Sequence, residues 1–519
     1  MLNSRELTPG LLRRMGWILW ALGLAACGGE DAGLAAPGPG TPPAGGGGTT
    51  DVAALARAYL DVVQLDPGFD ECWSGAPEAA GRCLRGPRSG SVLGDAVHRW
   101  IRTEWSAIPE IQHLQAQRFA FPHYRVQSMG LRADLGSGPI AVSSFPWFGQ
   151  GITGPAGVTA PLARVGLPLL PAPDVNGKIA LLRFTRQFNA DAAATHETLR
   201  AAEAAGAVAA VATFDAPGNL IAAHNHDIRN PLGSLPTLIV GKQDFNRLAA
   251  AAGSTATLTL NATPVDGRVD NSIAILPGRD PRMLVIGTPM NTWLTGGGER
   301  APGAAILVTL AQQLAARVRQ SGPLPYTVVL IATGGHEVYG YGLERSLGCL
   351  DADAVLAYVH LGAGLVSQAH VELLGDTVPR PGLTQTQTRA MVMSENPVLE
   401  ALVDDAFGGA GLGPFFRFEA GRAAPGEAEI AYNLGIPMVS LTGANPYHHT
   451  IEDDAAQIVF EALPAMAAAY QRLVDGLLEM PFAALEAANA EADASRGDNP
   501  GYSCAGPIAG IPPALQRAP

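Results

Sequence analysis

The stretch Tyr326-Thr-Val-Val-Leu-Ile-Ala-Thr-Gly-Gly-His-Glu337 decides the reading of this chain. Its first seven residues form a strand-length run rich in β-branched and apolar side chains, and a glycine turn then delivers a His-Glu pair. Outward from it, strand patterns at Arg282-Met-Leu-Val-Ile-Gly287, Ala354-Val-Leu-Ala-Tyr-Val-His360 and Pro437-Met-Val-Ser-Leu441 alternate with helical spacing over 303–319, 397–407 and 458 to about 478. Strands separated by helices demand a largely parallel, doubly wound α/β sheet, here spanning 266–480. Such sheets bind ligands beyond the carboxyl ends of their strands. His336-Glu337, His360 and Tyr447-His448-His449-Thr450 follow or end three of these strands. Four of the chain's 11 histidines therefore fall on loops that the fold brings together.

Upstream, 51–66 and 91–118 carry apolar residues at helical spacing, which predicts an N-terminal helical segment over 51–123 that packs on the sheet domain. From 124 to 265 short apolar runs alternate with turns, a β-rich unit. Its His224-Asn-His226-Asp227 reads as a polar loop, because no further ligands lie near it in sequence. Residues 481–519 form a C-terminal tail.

The 519 residues suffice for about three folded units. Gly and Pro number 62 and 41, short of the roughly 25–30% that marks a disordered chain. The formal charge is −13, with no basic stripe interleaved with aromatics, so no nucleic-acid partner is expected.

Residues 1–26 read as a signal: Arg13 and Arg14 precede an apolar run too short to span a bilayer, which ends at Leu24-Ala-Ala-Cys27. That tetrad resembles a bacterial lipobox, which implies lipidation of Cys27. Residues 27–50 are a Gly/Pro-rich tether. Loss of 1–26 removes three Arg and one Glu and moves the charge to −15. The expectation is an acidic body in the bacterial cell envelope, held at the outer membrane by its lipid alone. In an oxidising compartment Cys72 and Cys83 are expected to pair, whereas pairing of Cys349 with Cys504 stays one option among several.

The segment with Asp174-Val-Asn-Gly-Lys-Ile-Ala-Leu-Leu-Arg183, Ala201-Ala-Glu-Ala-Ala-Gly-Ala-Val208 and Leu235-Pro-Thr-Leu-Ile-Val-Gly241 resembles a protease-associated domain. The unit from 266 to 480 resembles the co-catalytic zinc aminopeptidases, a family that includes aminopeptidase Y, glutamate carboxypeptidase II and the catalytically silent transferrin receptor. Val269-Asp-Asn-Ser-Ile-Ala-Ile-Leu-Pro-Gly278, Gly435-Ile-Pro437 and His449-Thr-Ile-Glu-Asp453 carry that likeness.

The resemblance implies two zinc ions held by two His and three carboxylates, with a Glu as general base. Carried over residue by residue, the first His falls at Pro289, the Asp behind it at Asn291, and the bridging Asp at Gly298 with Glu299 beside it. The base falls at His336, the adjoining ligand at Glu337, the next ligand at His360 and the last at His449. A standard two-zinc centre is not expected. Glu337, His360 and His449 would suffice for at most one zinc ion, with His336 acting on a water, and Asn291, Glu299, Glu427 and His448 would line the pocket. The chain carries no Gly-x-Ser-x-Gly, no His-Glu-x-x-His and no phosphate loop. Two functions follow, both directed at a peptide or protein: a hydrolase with a remodelled single-metal site, or an inactive peptidase-like lipoprotein that binds its partner.

Overall fold

The computed structural model describes residues 51–64, 84–136, 138–148, 151–165, 174–184, 192–226, 233–373, 376–379, 386–387, 389–408, 412, 415–419, 426–491 and 501–517. The signal, Cys27, the tether and the expected Cys72–Cys83 bridge lie outside them. Among the described residues, no helix is long and apolar enough to cross a membrane.

Two helices, α1 (Val52–Val63) and α2 (Val92–Ser106), precede β1 (His113–Asp134). The helical reading of 91–118 is corrected at its end: α2 stops at Ser106, and from His113 the chain is extended, paired with a later strand apart from a register shift between Val126 and Ser128. Ile108-Pro109 separates the two, and the residue before a proline is disfavoured in the helical region. Next come β2 (Pro139–Val142), β3 (Phe145–Pro146), β4 (Val158–Arg164), β5 (Ile179–Phe184), α3 (Ala192–Ala204), β6 (Ala209–Phe214), β7 (Thr237–Ile239) and α4 (Lys242–Ala250). The long β8 (Thr255–Leu276) returns antiparallel along β1.

The parallel-sheet unit follows with β9 (Gly278–Pro289), α5 (Gly297–Ser321), β10 (Leu324–Thr333), α6 (Tyr341–Leu347) and β11 (Val355–Leu361). A hairpin of β12 (His370–Leu373) and β13 (Asp376–Pro379) leads to β14 (Arg389–Met393) and α7 (Pro397–Val403), which runs into a π-helical turn. The rest comprises β15 (Phe415–Glu419), α8 (Ala428–Asn433), β16 (Met438–Gly443), α9 (Leu463–Glu479) and α10 (Phe482–Glu491).

Among the described residues, fourteen strands join one sheet in the order β15-β14-β16-β11-β9-β10-β8-β4-β5-β6-β7-β3, with β1 paired to β8 and β2 paired to β1. The pairs β9–β10, β9–β11 and β11–β16 are parallel, so their carboxyl ends share one edge. The fold is the mixed α/β, mostly parallel sheet that the alternation of patterns predicts.

Among the described residues, two large apolar cores and a small cluster around Phe119, Phe121, Val269, Val338 and Tyr341 stabilise it. One sandwiches the parallel strands between helices and takes in Tyr59, Leu60, Val97, Ile101 and Trp105 of α1 and α2. Burying each such side chain contributes about 1.5–3 kcal/mol before conformational entropy is offset. The other lies mostly within 126–262 and is joined by Leu84 and by Trp293 and Leu294 from the loop after β9. The positions 123/124 and 265/266 fall inside β1 and β8, so both strands run unbroken from one core to the other. The tail is ordered in part: Cys349 and Cys504 form a disulfide, and Arg517 N donates to the Cys349 carbonyl at 2.8 Å.

Candidate functional site

The site collects where β9, β10, β11 and β16 end. Three short backbone devices place its side chains. After β10, His336–Val338 form a single 3-10 turn between Gly335 (φ 72°) and Gly340 (φ 66°), left-handed positions that glycine adopts without strain. After β16, His449 itself sits at φ 59°, a conformation costly for a non-glycine residue and typical of over-determined functional positions. The third device is the start of α5.

Helix α5 begins at Gly297, six residues before the 303 start read from sequence, so Gly297 and Gly298 belong to its first turn. The Asp453 carboxylate caps it: Gly298 N donates to Oδ1 at 3.1 Å and Glu299 N to Oδ2 at 3.2 Å. A carboxylate at a helix amino end satisfies unpaired N–H groups and meets the positive end of the helix dipole. This early start turns Glu299 and Arg300 into the interior, where both side chains are at most 1% exposed.

Glu299 is the centre of the arrangement. Its Oε2 accepts from Thr292 Oγ1 at 2.5 Å. Its Oε1 forms an ion pair with the Arg300 guanidinium and faces His449 Nε2 at 3.3 Å and His448 Nε2 at 3.7 Å. The two imidazoles stack, with centroids 4.0 Å apart. Burial pushes the Glu299 carboxyl up, and Arg300 with the two histidines outweighs it, holding the group well below the usual carboxylate range. Arg300 Nε donates to the Asn291 carbonyl at 2.8 Å, which fixes the guanidinium.

The other expected residues are buried nearby, each tied to its own partner. Glu337 Oε2 accepts from Ser89 Oγ at 2.6 Å, and Ser89 Oγ accepts from Gly335 N at 2.8 Å. His360 Nδ1 lies 2.8 Å from Ser440 Oγ, and its Nε2 has no hydrogen-bond partner among the described residues. Glu427 accepts from Thr333 Oγ1 at 2.7 and 2.8 Å, and His336 Nδ1 lies 3.5 Å from Glu427 Oε1. The Asn291 side-chain amide donates to the Pro87 carbonyl at 2.8 Å, and its oxygen lies 3.3 Å from His98 Nε2. Burial raises the carboxyls of Glu337 and Glu427, lowers His360 to about 4 and holds His336 well below the usual imidazole range. Asp453 is pushed up to about 7 by burial and then by the Glu299 charge.

Among the described residues, the His, Cys and carboxylate donors that converge within 4.8 Å are Glu299, His448 and His449. Of the expected trio Glu337, His360 and His449, only His449 belongs to this group. The other two face Ser89 and Ser440 instead. A two-zinc centre does not fit: Pro289 and Gly298 offer no donor, and a Cβ on Gly298 would stand 2.7 Å from Asp453 Oδ1 and 2.9 Å from Asn445 Nδ2. A single ion at Glu299–His448–His449 has its donors in place, but the carboxylate oxygen it needs is paired with Arg300.

The segment 221–226 closes over this edge and is buried, unlike the polar loop its composition predicts. Ala223 N donates to the His449 carbonyl at 3.0 Å, His226 N to the Glu337 carbonyl at 3.1 Å, and Trp293 Nε1 to Asn225 Oδ1 at 2.7 Å. The Asp227 of that motif lies outside the described residues. Ser89, Arg300 and Asp453 went unassigned in the sequence. The acidic residue four positions after His449 was the one visible signal.

The fold is that of zinc aminopeptidases. A zinc aminopeptidase from Bacillus subtilis superposes with a TM-score of 0.60 at 17% identity, over 82% of this chain and 95% of that one. A peptidase M28 precursor from Shewanella amazonensis gives 0.60 at 16%, over 83% and 95%. The aminopeptidase of Aneurinibacillus sp. strain AM-1 gives 0.52 at 18%, over 82% and 93%. These alignments take in far more of the chain than 266–480. No family model matches the chain, and the search of curated proteins found no match.

Proposed function

We propose that this protein is an exported, lipid-anchored member of the zinc aminopeptidase-like group that binds a peptide or protein ligand and has no two-zinc hydrolytic activity. The carrying observation is Gly298. Where the resembled family places its bridging carboxylate, this chain has no side chain, and the space is filled by Asp453 and Asn445. Pro289 removes a second ligand, and Glu337 and His360 are committed to serines. In this reading 124–265 is a protease-associated domain whose segment 221–226 covers the site. Lipidation at Cys27 would hold the body at the outer membrane of a bacterial envelope.

A second reading, a remodelled hydrolase, draws on Glu299, His448 and His449, where one ion could be held. Zinc is the metal named for the Bacillus neighbour. Assay of the purified chain on aminoacyl-p-nitroanilides and dipeptides separates the two. No turnover is expected with or without added zinc, and robust turnover abolished by a chelator would overturn the binding reading. Cys27→Ser should release the protein from the membrane fraction.

A further inference from the structure

We propose that Arg300 is the resident cation of this site, its guanidinium standing against Glu299 where a metal ion would otherwise bind, so that the centre is a permanent buried ion pair. The inference rests on the reading of the site as catalytically silent and names what replaced the metal.

Three observations carry it. The contact is with Oε1, the same oxygen that faces His449 Nε2 at 3.3 Å and His448 Nε2 at 3.7 Å. A metal bound by this carboxylate oxygen and two imidazoles would meet the guanidinium across a single atom, in an interior where like charges are poorly screened. The guanidinium cannot swing away without breaking its 2.8 Å bond to the Asn291 carbonyl, and its side chain is only 1% exposed. The field of Arg300 reaches Glu299, His336, Glu337, His360 and Glu427, the residues that line the edge. A central position of this kind is what a metal substitute requires. Removing the charge without shortening the side chain much should expose a latent site made of Glu299, His448 and His449.

The test is metal content. The full chain and its variants are incubated with zinc, desalted and analysed by mass spectrometry. Wild type is expected to retain essentially no zinc. Arg300→Met should retain about one ion per chain, and a second change, Glu299→Gln or His449→Ala, should remove it. If Arg300→Met does not fold, Arg300→Gln supplies the answer: uncharged and polar, it should take up about one zinc ion per chain in the same assay. Zinc retained by wild type and lost in Glu299→Gln overturns the proposal, as does a folded Arg300→Met or Arg300→Gln that stays empty. Chelator-sensitive turnover is scored separately. Zinc in the wild type without turnover defeats this inference alone, and turnover by zinc-free protein defeats the functional reading alone.

Discussion

Asp453 and Gly298, 155 residues apart in sequence, meet at 3.1 Å, the glycine N–H donating to the carboxylate. The absence of a side chain at 298 is what allows the approach. Gly298→Asp, which would put back the carboxylate that the resembled family uses, should therefore fail to rebuild a metal centre. It should cost about 1–3 kcal/mol, the usual effect of overpacking. Urea denaturation and metal analysis of the same preparation check both parts.

Ser89 is the hydrogen-bond donor to buried Glu337 and the acceptor for Gly335 N. Ser89→Ala leaves Gly335 N and Glu337 Oε2 without these bonds, although Ser89 N still donates to Glu337 Oε1 at 3.4 Å, and should destabilise the chain by about 1–3 kcal/mol. The loss is read as a lower urea midpoint at unchanged slope.

The carboxyl of Asp453 is raised to about 7. Between about pH 4 and 7 the native state keeps a proton that the unfolded chain releases, so this group's contribution to stability falls as pH rises through that window. Asp453→Asn should flatten the decline, by up to roughly 4 kcal/mol between the two ends. Urea midpoints measured at pH 4.5, 6 and 8 give the slope.

His224 carries the opposite sign. It stacks on Phe214 at 4.7 Å and lies edge-on to Trp147, and burial lowers its pKa to about 3. Its native form is neutral, so its contribution is complete above about pH 6.5 and is lost as pH falls toward 3. His224→Phe, which suits the aromatic surroundings, should raise the urea midpoint at pH 4.5 relative to wild type by more than it does at pH 8.

The Cys349–Cys504 bridge closes a loop across 155 residues and anchors the tail, where Asp351 N also donates to the Leu515 carbonyl at 3.0 Å. Replacing both cysteines by serine should cost about 2–5 kcal/mol. Limited proteolysis should then cut first within 501–517.

The parallel core was legible because Tyr326 to Ala332 and its counterparts are apolar runs bounded by helical spacing. The histidines were legible because they follow those runs directly. What escaped depends on partners distant in sequence. Gly and Pro302 hid the first turns of α5, since the side chain that caps them is Asp453. Arg300 belongs to no motif, and it is the early helix start that turns it inward. The burial of His224-Asn-His226 was hidden because its segment is held by partners distant in sequence, the His449 and Glu337 carbonyls and the Trp293 indole. Strands β14 and β15 were not read at all, and the choice of Cys504 for Cys349 needed the tail's path.

The paired strands β1 and β8 also set the order in which the molecule can form. His113 lies opposite Ile275 and Ala133 opposite Ala256, so the ribbon that runs through both cores closes only after the chain has grown past Leu276. Contacts so far apart in sequence make for slow acquisition of structure and a long-lived exposed edge on the nascent polypeptide. A chain truncated before β8 should accumulate as aggregate, with neither core complete.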